Sequence, residues 1–194
     1  MIRVRRYATM EILQQLRDEL ESAMITACMS SIDKHKGETF YSVSLYTSGE
    51  YGYYFDSIAT LEGLKYAAER YLDNEDFRDE WKTLAKAMRE LKWSPCDSPY
   101  HCEFQNEFRR VNQIVQEIWQ KVDDSEEAVL ETCEAIHEIG VVVLTSIKNS
   151  RIFDPHDVVF NILKGDQSDE ERVAIAEHLN SKKLVERLKL DLEA

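Results

Sequence analysis

The chain has 194 residues, of which 43% are hydrophobic and 31% are charged. At roughly 150 residues per domain, this length fits one domain with a single core, and the composition excludes a disordered or fibrous protein. Its 37 acidic residues outnumber 24 basic ones, which gives a formal net charge of −13. This charge argues against nucleic-acid binding, because most of the surface would repel a phosphate backbone.

The hydropathy of the chain, its first residues and its cysteines indicate the cellular compartment. No apolar run approaches the roughly 20 residues that span a bilayer. Residues 1–8 carry three arginines, but the stretch that follows is amphipathic, unlike a secretory signal. We expect a cytoplasmic protein consisting of one α+β domain over residues 1–194, with residues 1–8 as a loose arm. Four cysteines are too few for a disulfide framework and are predicted to be free, mostly buried thiols.

The first half of the chain predicts a helix, a hairpin and two further helices. Apolar residues recur every three or four positions from Thr9 to about Ile32, which is typical of a helix. Phe40–Thr47 alternates as a half-buried strand does, and Ser48-Gly49 predicts a tight turn into a second strand. Helical spacing then runs from Thr60 to Leu72 and again after Asn74.

The second half predicts more helices and two strands. The prolines between Trp93 and Pro99 predict a loop, and a helix is expected from His101 to Val122. Asp124 and Glu127 have capping-box spacing for a helix that ends at Gly140.

The last part of the chain supplies the expected centre of the sheet. Val141–Ile147 is apolar and β-branched, as is typical of a central strand, and Val158–Leu163 predicts its neighbour. Ser168 and Glu171 form a capping box for a helix that Asn180 interrupts, and a final helix follows. This order predicts an α+β fold with a mainly antiparallel sheet of about four to five strands and several amphipathic helices.

Possible catalytic or metal-binding residues concentrate in one loop. Cys96, His101 and Cys102, with Asp97, supply ligand types that zinc prefers, although adjacent residues are poorly placed for one tetrahedral ion. Cys133 and His137 lie four apart, as a nucleophile and its base could, but a packed helix face explains them better. No GxGxxG, GxxxxGK[ST], GxSxG or HExxH motif occurs. No catalytic residue, metal or cofactor is therefore assigned.

An acidic stretch is the most distinctive feature of the sequence. Seven acidic residues and no lysine or arginine lie between Asp123 and Glu138. Four glutamates four, three and four positions apart line one face of the predicted helix: Glu127, Glu131, Glu134 and Glu138. This face is either a solvated surface or a docking surface for a basic partner.

Aromatic residues near turns are the second hint of an interface. Tyr and Trp make good interface anchors, and several lie in or beside predicted turns, among them Tyr53, Tyr54 and Trp93. The alternative is that the tyrosines pack on the sheet.

Five segments are informative together through their order and spacing: Phe40–Thr47, Thr60–Leu64, Leu91–Pro95, Gly165–Arg172 and Leu179-Asn180. They resemble the corresponding segments of the bacterial domain-of-unknown-function family 4303. The resemblance implies no established activity, but it suggests that this small acidic protein is an immunity protein for a secreted toxin.

The leading hypothesis is a non-enzymatic immunity protein. It would cover a cognate toxin, such as a basic nuclease, with the four glutamates steering association and Tyr53, Tyr54 and Trp93 as anchors. Two alternatives remain open. One is a small-ligand or metal-dependent enzyme with its site in loop 93–102, and the other is a structural or regulatory homo-oligomer.

Overall fold

The computed structural model of the protein describes the backbone of residues 2–123, 125–154 and 156–193, and the side chains of that set from Met10 onward. These residues form eight α-helices, three β-strands and one 3₁₀ turn, Pro95–Asp97. In chain order the helices and strands are α1 (Ile2–Lys34), β1 (Phe40–Thr47), β2 (Phe55–Thr60), α2 (Leu61–Asp73), α3 (Glu75–Trp81), α4 (Leu84–Leu91), α5 (Arg109–Trp119), α6 (Glu126–Asn149), β3 (Val159–Lys164), α7 (Asp169–Leu179) and α8 (Lys182–Glu193). The fold is α+β, as predicted.

The sheet has three strands in the order β2-β1-β3 among the described residues. Strand β1 pairs with β2 antiparallel, with Val43 opposite Ile58, and with β3 parallel, with Val43 opposite Phe160. The predicted sheet of four to five mainly antiparallel strands is therefore wrong. A parallel pair needs a long crossover connection, and here the crossover from β2 to β3 runs through α2 to α6.

The largest error concerns Val141–Ile147, which is not a strand but the C-terminal part of α6. The buried residues of α6 recur at helical spacing: Ile136, Ile139, Gly140, Val143, Leu144 and Ile147. Burial along this stripe outweighs the β preference of the valines. Gly140 does not end the helix, which continues to Asn149. A Cβ at this position would lie 2.7 Å from the Tyr54 hydroxyl oxygen. Its lack of a side chain allows β-strand and loop residues to approach α6 closely.

The β1–β2 hairpin is present, but its connection is a loop over residues 48–54 and not a tight turn. The Ser48 hydroxyl accepts a hydrogen bond from Gly52 N at 2.8 Å, and Tyr51 takes a positive φ of 55°. Asn112 of α5 holds the end of this loop, since its side chain bonds the backbone N and O of Tyr54 at 2.7 and 3.1 Å. The loop is drawn inward because Tyr54 is fully buried.

Most other helices lie where the sequence predicts them, with shifted ends. Thr60 caps α2 as predicted, accepting from Gly63 N at 3.0 Å. The helix expected after Asn74 is divided into α3 and α4, and the helix expected from His101 begins only at Arg109. Residues 102–108 form turns instead, and Phe104 N in this segment donates a hydrogen bond to the Asp56 carboxylate at 3.1 Å.

The two predicted N-terminal caps of α6 and α7 have different outcomes. Asp124, the predicted cap of α6, lies outside the described residues, and the side chain of Ser125 caps the helix. The capping box of Ser168 and Glu171 is confirmed at the start of α7, and Asn180 separates α7 from α8. The bounds of α1 include the backbone of residues 2–8. Side chains 1–9 lie outside the described set, so a loose arm stays a prediction.

Helices cover both faces of the sheet. One cluster joins apolar residues of α1, α5 and α6 to Val43, Ile58 and Ile162, and a second joins α2, α4 and α8 to Tyr41 and Val159. Strand β1 is therefore buried on both faces, unlike the half-buried strand that its alternation predicts. Among the described residues, no helix is long and apolar enough to cross a membrane.

Candidate functional site

The four predicted glutamates lie on the first half of α6. The Ser125 hydroxyl accepts a hydrogen bond from Ala128 N at 3.3 Å and starts the helix. All four side chains are exposed, and we call them the acidic face: Glu127, Glu131, Glu134 and Glu138. The first buried residue of α6 is Ile136. The N-terminal half of the helix therefore presents most of its surface to solvent, while the C-terminal half anchors it in the core.

No ion pair joins the acidic face to a cation within the part of the chain that the structure describes. The nearest basic residues along the sequence are Lys121 and Lys148, beyond either end of the face. Leu130 lies between the glutamates with 61% of its surface exposed. Like charges at this spacing cost a few tenths of a kcal/mol per pair. A cation brought by a partner would relieve this repulsion.

A groove of about 290 Å³ extends the acidic face toward α7. Glu134 of α6 and Glu171 of α7 both line it, together with Tyr51 and Lys164. Burial, followed by the nearby Cys133 and Glu171, raises the pKa of Tyr51 to about 12. The groove is therefore bordered by carboxylates of two helices.

The structure corrects the predicted aromatic anchors. Tyr54 is fully buried and donates a hydrogen bond to the Ile136 carbonyl at 2.9 Å. Trp93 is only 5% exposed, because it packs edge-on against Tyr41 within the second core cluster. Neither ring is available as an exposed anchor. Tyr53 is partly exposed and keeps the position expected of a surface residue.

The predicted constellation in loop 93–102 is divided. Cys96 Sγ lies 3.5 Å from the Tyr46 hydroxyl, whereas Cys102 Sγ lies 3.2 Å from His101 Nε2. No group of three or more His, Cys, Asp or Glu side chains is arranged to hold a metal ion among the described residues. An open cavity of about 400 Å³ is lined by Cys96 and Asp97 but by neither His101 nor Cys102. The four residues therefore do not form one site.

The electrostatics of the Cys102–His101 contact oppose a nucleophilic role. Burial, followed by electrostatic interaction with Asp56 and Cys96, raises the pKa of the Cys102 thiol to about 12. Burial also lowers the pKa of His101. A reactive cysteine needs a depressed pKa, so this thiol stays protonated at neutral pH.

The second sequence-predicted pair, Cys133 and His137, is also separated by its bonds. His137 Nδ1 lies 2.8 Å from the Tyr51 hydroxyl, and the Cys133 thiol donates to the Glu50 carbonyl at 3.6 Å. Burial raises the pKa of Cys133 and lowers that of His137. Both side chains are half-buried and line the groove beside the acidic face, where they do not form a nucleophile–base pair.

A polar cluster that sequence reasoning missed lies at the end of α1. His35 Nε2 contacts Glu103 at 2.7 Å, and its ring stacks on Tyr100 with centroids 3.8 Å apart. The Tyr100 hydroxyl donates to Glu38 at 3.1 Å, and Thr60 donates to the same carboxylate at 2.5 Å. These residues come from distant segments, so no spacing in the sequence could reveal them. The cluster ties α1, the start of α2 and the loop before α5 together.

Comparison with known proteins supplies the family. No curated protein and no solved structure matches the chain. The sequence model of the domain of unknown function DUF4303 matches residues 20–181. This range includes the three strands, α2 to α7 and the acidic face. The chain therefore belongs to the DUF4303 family.

Proposed function

We propose that this protein binds a basic protein through the acidic face and serves as an immunity protein that neutralises a cognate toxin, without catalysis of its own. The observation that carries the proposal is the row of four exposed glutamates, which form no ion pair with any residue that the structure describes. Solvation alone would explain an acidic surface. Leu130, exposed within the same surface, would give a partner one apolar contact beside the glutamates.

Charge complementarity indicates that the partner has a basic surface. A net charge of −13 attracts a cationic protein over a long range, and complementary potentials raise association rates toward about 10⁸ M⁻¹s⁻¹ at low salt. Once docked, the carboxylates would pair with lysines or arginines of the partner. A toxin that binds nucleic acid carries such a surface at its active site, so covering it would block substrate access.

The apolar part of the interface is smaller than the sequence predicted. An interface of about 1,600 Å² normally contains buried anchors near its centre. Trp93 and Tyr54 lie in the core, so Leu130 is the exposed apolar residue of α6 best placed to be an anchor. Tyr53 is the one predicted aromatic anchor that stays partly exposed. We therefore expect affinity to depend more on electrostatics than in a typical obligate interface.

The direct test is a binding titration at two salt concentrations against the product of the gene immediately upstream, with a toxicity-rescue assay in parallel. Tight, salt-sensitive binding together with rescue is expected. Size-exclusion mass of the separate and mixed proteins would distinguish a complex with this partner from a homo-oligomer. Absence of both binding and rescue would remove the immunity proposal.

Charge reversal locates the interface. The double variant Glu131→Lys and Glu134→Lys should slow association by about tenfold at low salt and flatten its salt dependence, because rim charges act mainly on the association rate. The matched control is Asp79→Lys with Glu80→Lys, two exposed acidic residues of α3. It changes the net charge equally. Stopped-flow kinetics that respond identically to both double variants would show that only the total charge matters and that the acidic face is not the contact.

A further inference from the structure

The open cavity of about 400 Å³ that Cys96 and Asp97 line lies between α2, α3 and residues 96–99. Residues 66 and 70 of α2, like residues 67 and 71, are four positions apart, so one side of the helix faces the cavity. Ala67 is buried among them, and its small side chain leaves space between the larger residues of the lining. Small-molecule sites occupy roughly 300–1,000 Å³. A small organic molecule therefore fits this cavity by size.

Three aromatic side chains line the cavity, and each keeps part of its surface accessible: Tyr66, Tyr71 and Phe77. Tyr66 has 54% of its surface exposed. The rings of Tyr71 and Phe77 pack edge to face, with their centroids 4.9 Å apart. Aromatic rings attract one another beyond the effect of the area that they bury. The lining therefore favours a ligand with an aromatic ring over an aliphatic ligand of the same size.

Arg70 supplies the positive charge of the lining. Its side chain is exposed, and it forms no ion pair with any residue that the structure describes. The guanidinium carbon lies 5.9 Å from the centroid of the Tyr66 ring. The hydrogen bond to Asp97, followed by burial, raises the pKa of Tyr71, and the charge of Arg70 lowers it in part. Arg70 is therefore close to both tyrosines and accessible to a ligand that contacts their rings.

The charges of the lining indicate which anion fits beside the rings. Asp97 lines the cavity as well, and its two oxygens accept hydrogen bonds from the hydroxyl groups of Tyr71 and Ser94. A phosphate monoester carries about two negative charges and would meet Asp97 with a single cation to offset the repulsion. A carboxylate carries one negative charge, and its two oxygens match the two parallel N–H groups of an arginine. The lining therefore favours a carboxylate over a phosphate.

We propose that this cavity binds a small aromatic carboxylate, with its ring against the three aromatic side chains and its carboxylate accepting hydrogen bonds from Arg70. Asn74 also lines the cavity, and its Oδ1 accepts a hydrogen bond from Asp76 N at 3.1 Å, which leaves its side-chain NH₂ as a further donor. None of the four glutamates of the acidic face belongs to this lining. The site and the proposed immunity function can therefore be tested separately.

Thermal-shift measurements followed by calorimetry on the full chain test the ligand class, since a molecule that binds only the folded state raises its unfolding midpoint. The probes are benzoate, phenylacetate, cinnamate and indoleacetate, each at about 10 mM. At least one should bind at a single site. Its neutral amide should bind about tenfold more weakly, because it lacks the charge-assisted bonds, and the matched carboxylate with a saturated ring about fivefold more weakly. No binding by any probe, or equal binding by either analogue, would overturn the proposal, as would tighter binding of a matched phosphate monoester.

Cys96 reports whether a bound probe lies in this cavity. Its side chain is an exposed free thiol of the lining. A saturating probe should slow the alkylation of Cys96 by iodoacetamide severalfold, as measured by mass spectrometry of the modified peptides. Cys133 is the internal control, because it is partly exposed in the groove beside the acidic face and should react at an unchanged rate. If Cys96 reacts equally fast with and without the probe, the ligand lies elsewhere and the proposal is wrong.

Variants on α2 test the role of each group. Arg70→Gln should bind the carboxylate about tenfold more weakly and the neutral amide as before, and Tyr66→Leu should reduce the preference for the aromatic ring over the saturated one. Both side chains are exposed, so both variants should fold normally. The matched control is Lys65→Gln, which removes the same charge from the same helix at an exposed position outside the lining. Equal losses in Arg70→Gln and Lys65→Gln would show that only the net charge matters and would overturn the proposal.

Discussion

Replacing Asp56 with Asn is expected to make the protein progressively more stable than the wild type as the pH rises from 4 to 8. Asp56 is fully buried on β2. Burial raises the pKa of its carboxyl group to about 6, although hydrogen bonds from the Phe104 backbone and the residue's own backbone lower it in part. The folded state therefore binds the proton more tightly than the unfolded chain, where the ordinary pKa is about 3.9.

This pKa difference makes the wild-type protein less stable as the pH rises. The stability contributed by the protonated carboxyl group is fully present below about pH 3.9 and is lost as the pH rises through about 6, because the folded protein then holds a buried charge. A pKa difference of this size corresponds to about 3 kcal/mol in full, of which about 2 kcal/mol falls between pH 4 and pH 8. Asn keeps an acceptor for Phe104 N and has no charge to bury.

Urea unfolding of both proteins at intervals from pH 4 to pH 8 measures the effect. Glu103 interacts with Asp56 electrostatically, and groups elsewhere respond to pH alike in both proteins. The difference between the two free energies of unfolding isolates Asp56. Glu126→Gln on the exposed start of α6 is the control. A constant difference between wild type and Asp56→Asn over this range would mean that the Asp56 carboxyl group is not perturbed.

The sequence predicted features whose physical cause lies within one short segment. The Thr60 cap, the Ser168–Glu171 capping box and the break at Asn180 each depend on residues three or four positions apart. The acidic face belongs to the same kind, since glutamates three or four positions apart in a helix lie on the same side. Such features need no knowledge of which other element packs nearby.

The errors arose where packing between distant segments decides the outcome. Val141–Ile147 has the composition of a strand, yet contacts with α1 and the sheet bury it as part of α6. Tyr54 and Trp93 lie beside turns, and only the tertiary fold places their rings in the core. The cavity beside Trp93 is lined by residues spread from α4 to α8, so no single stretch of the sequence predicts it.

The close approach of α6 to the sheet gives a second large stability prediction. Replacing Gly140 with Ala should lower the free energy of unfolding by about 2 kcal/mol, as is usual when a tight core must accept an extra group. An added Cβ would lie 2.7 Å from the Tyr54 hydroxyl oxygen and 2.9 Å from Ile162 Cδ1. Gly49→Ala, with nothing within 4 Å of its Cβ, is the control. It should change stability by less than about 0.5 kcal/mol.

A double-mutant cycle tests whether the Tyr54 hydroxyl group is the contact that opposes the added methyl group. Tyr54→Phe removes the hydroxyl group and its bond to the Ile136 carbonyl, which should cost about 1 kcal/mol by itself. In that background Gly140→Ala should be neutral or stabilising, because Ala is favoured over Gly inside a helix by about 1 kcal/mol. The Ile162 methyl group is the end of a flexible side chain and can move aside. Equal losses in both backgrounds would contradict this account. Strong coupling would show that Gly140 is required by the Tyr54 hydroxyl, and not by any need to end the helix.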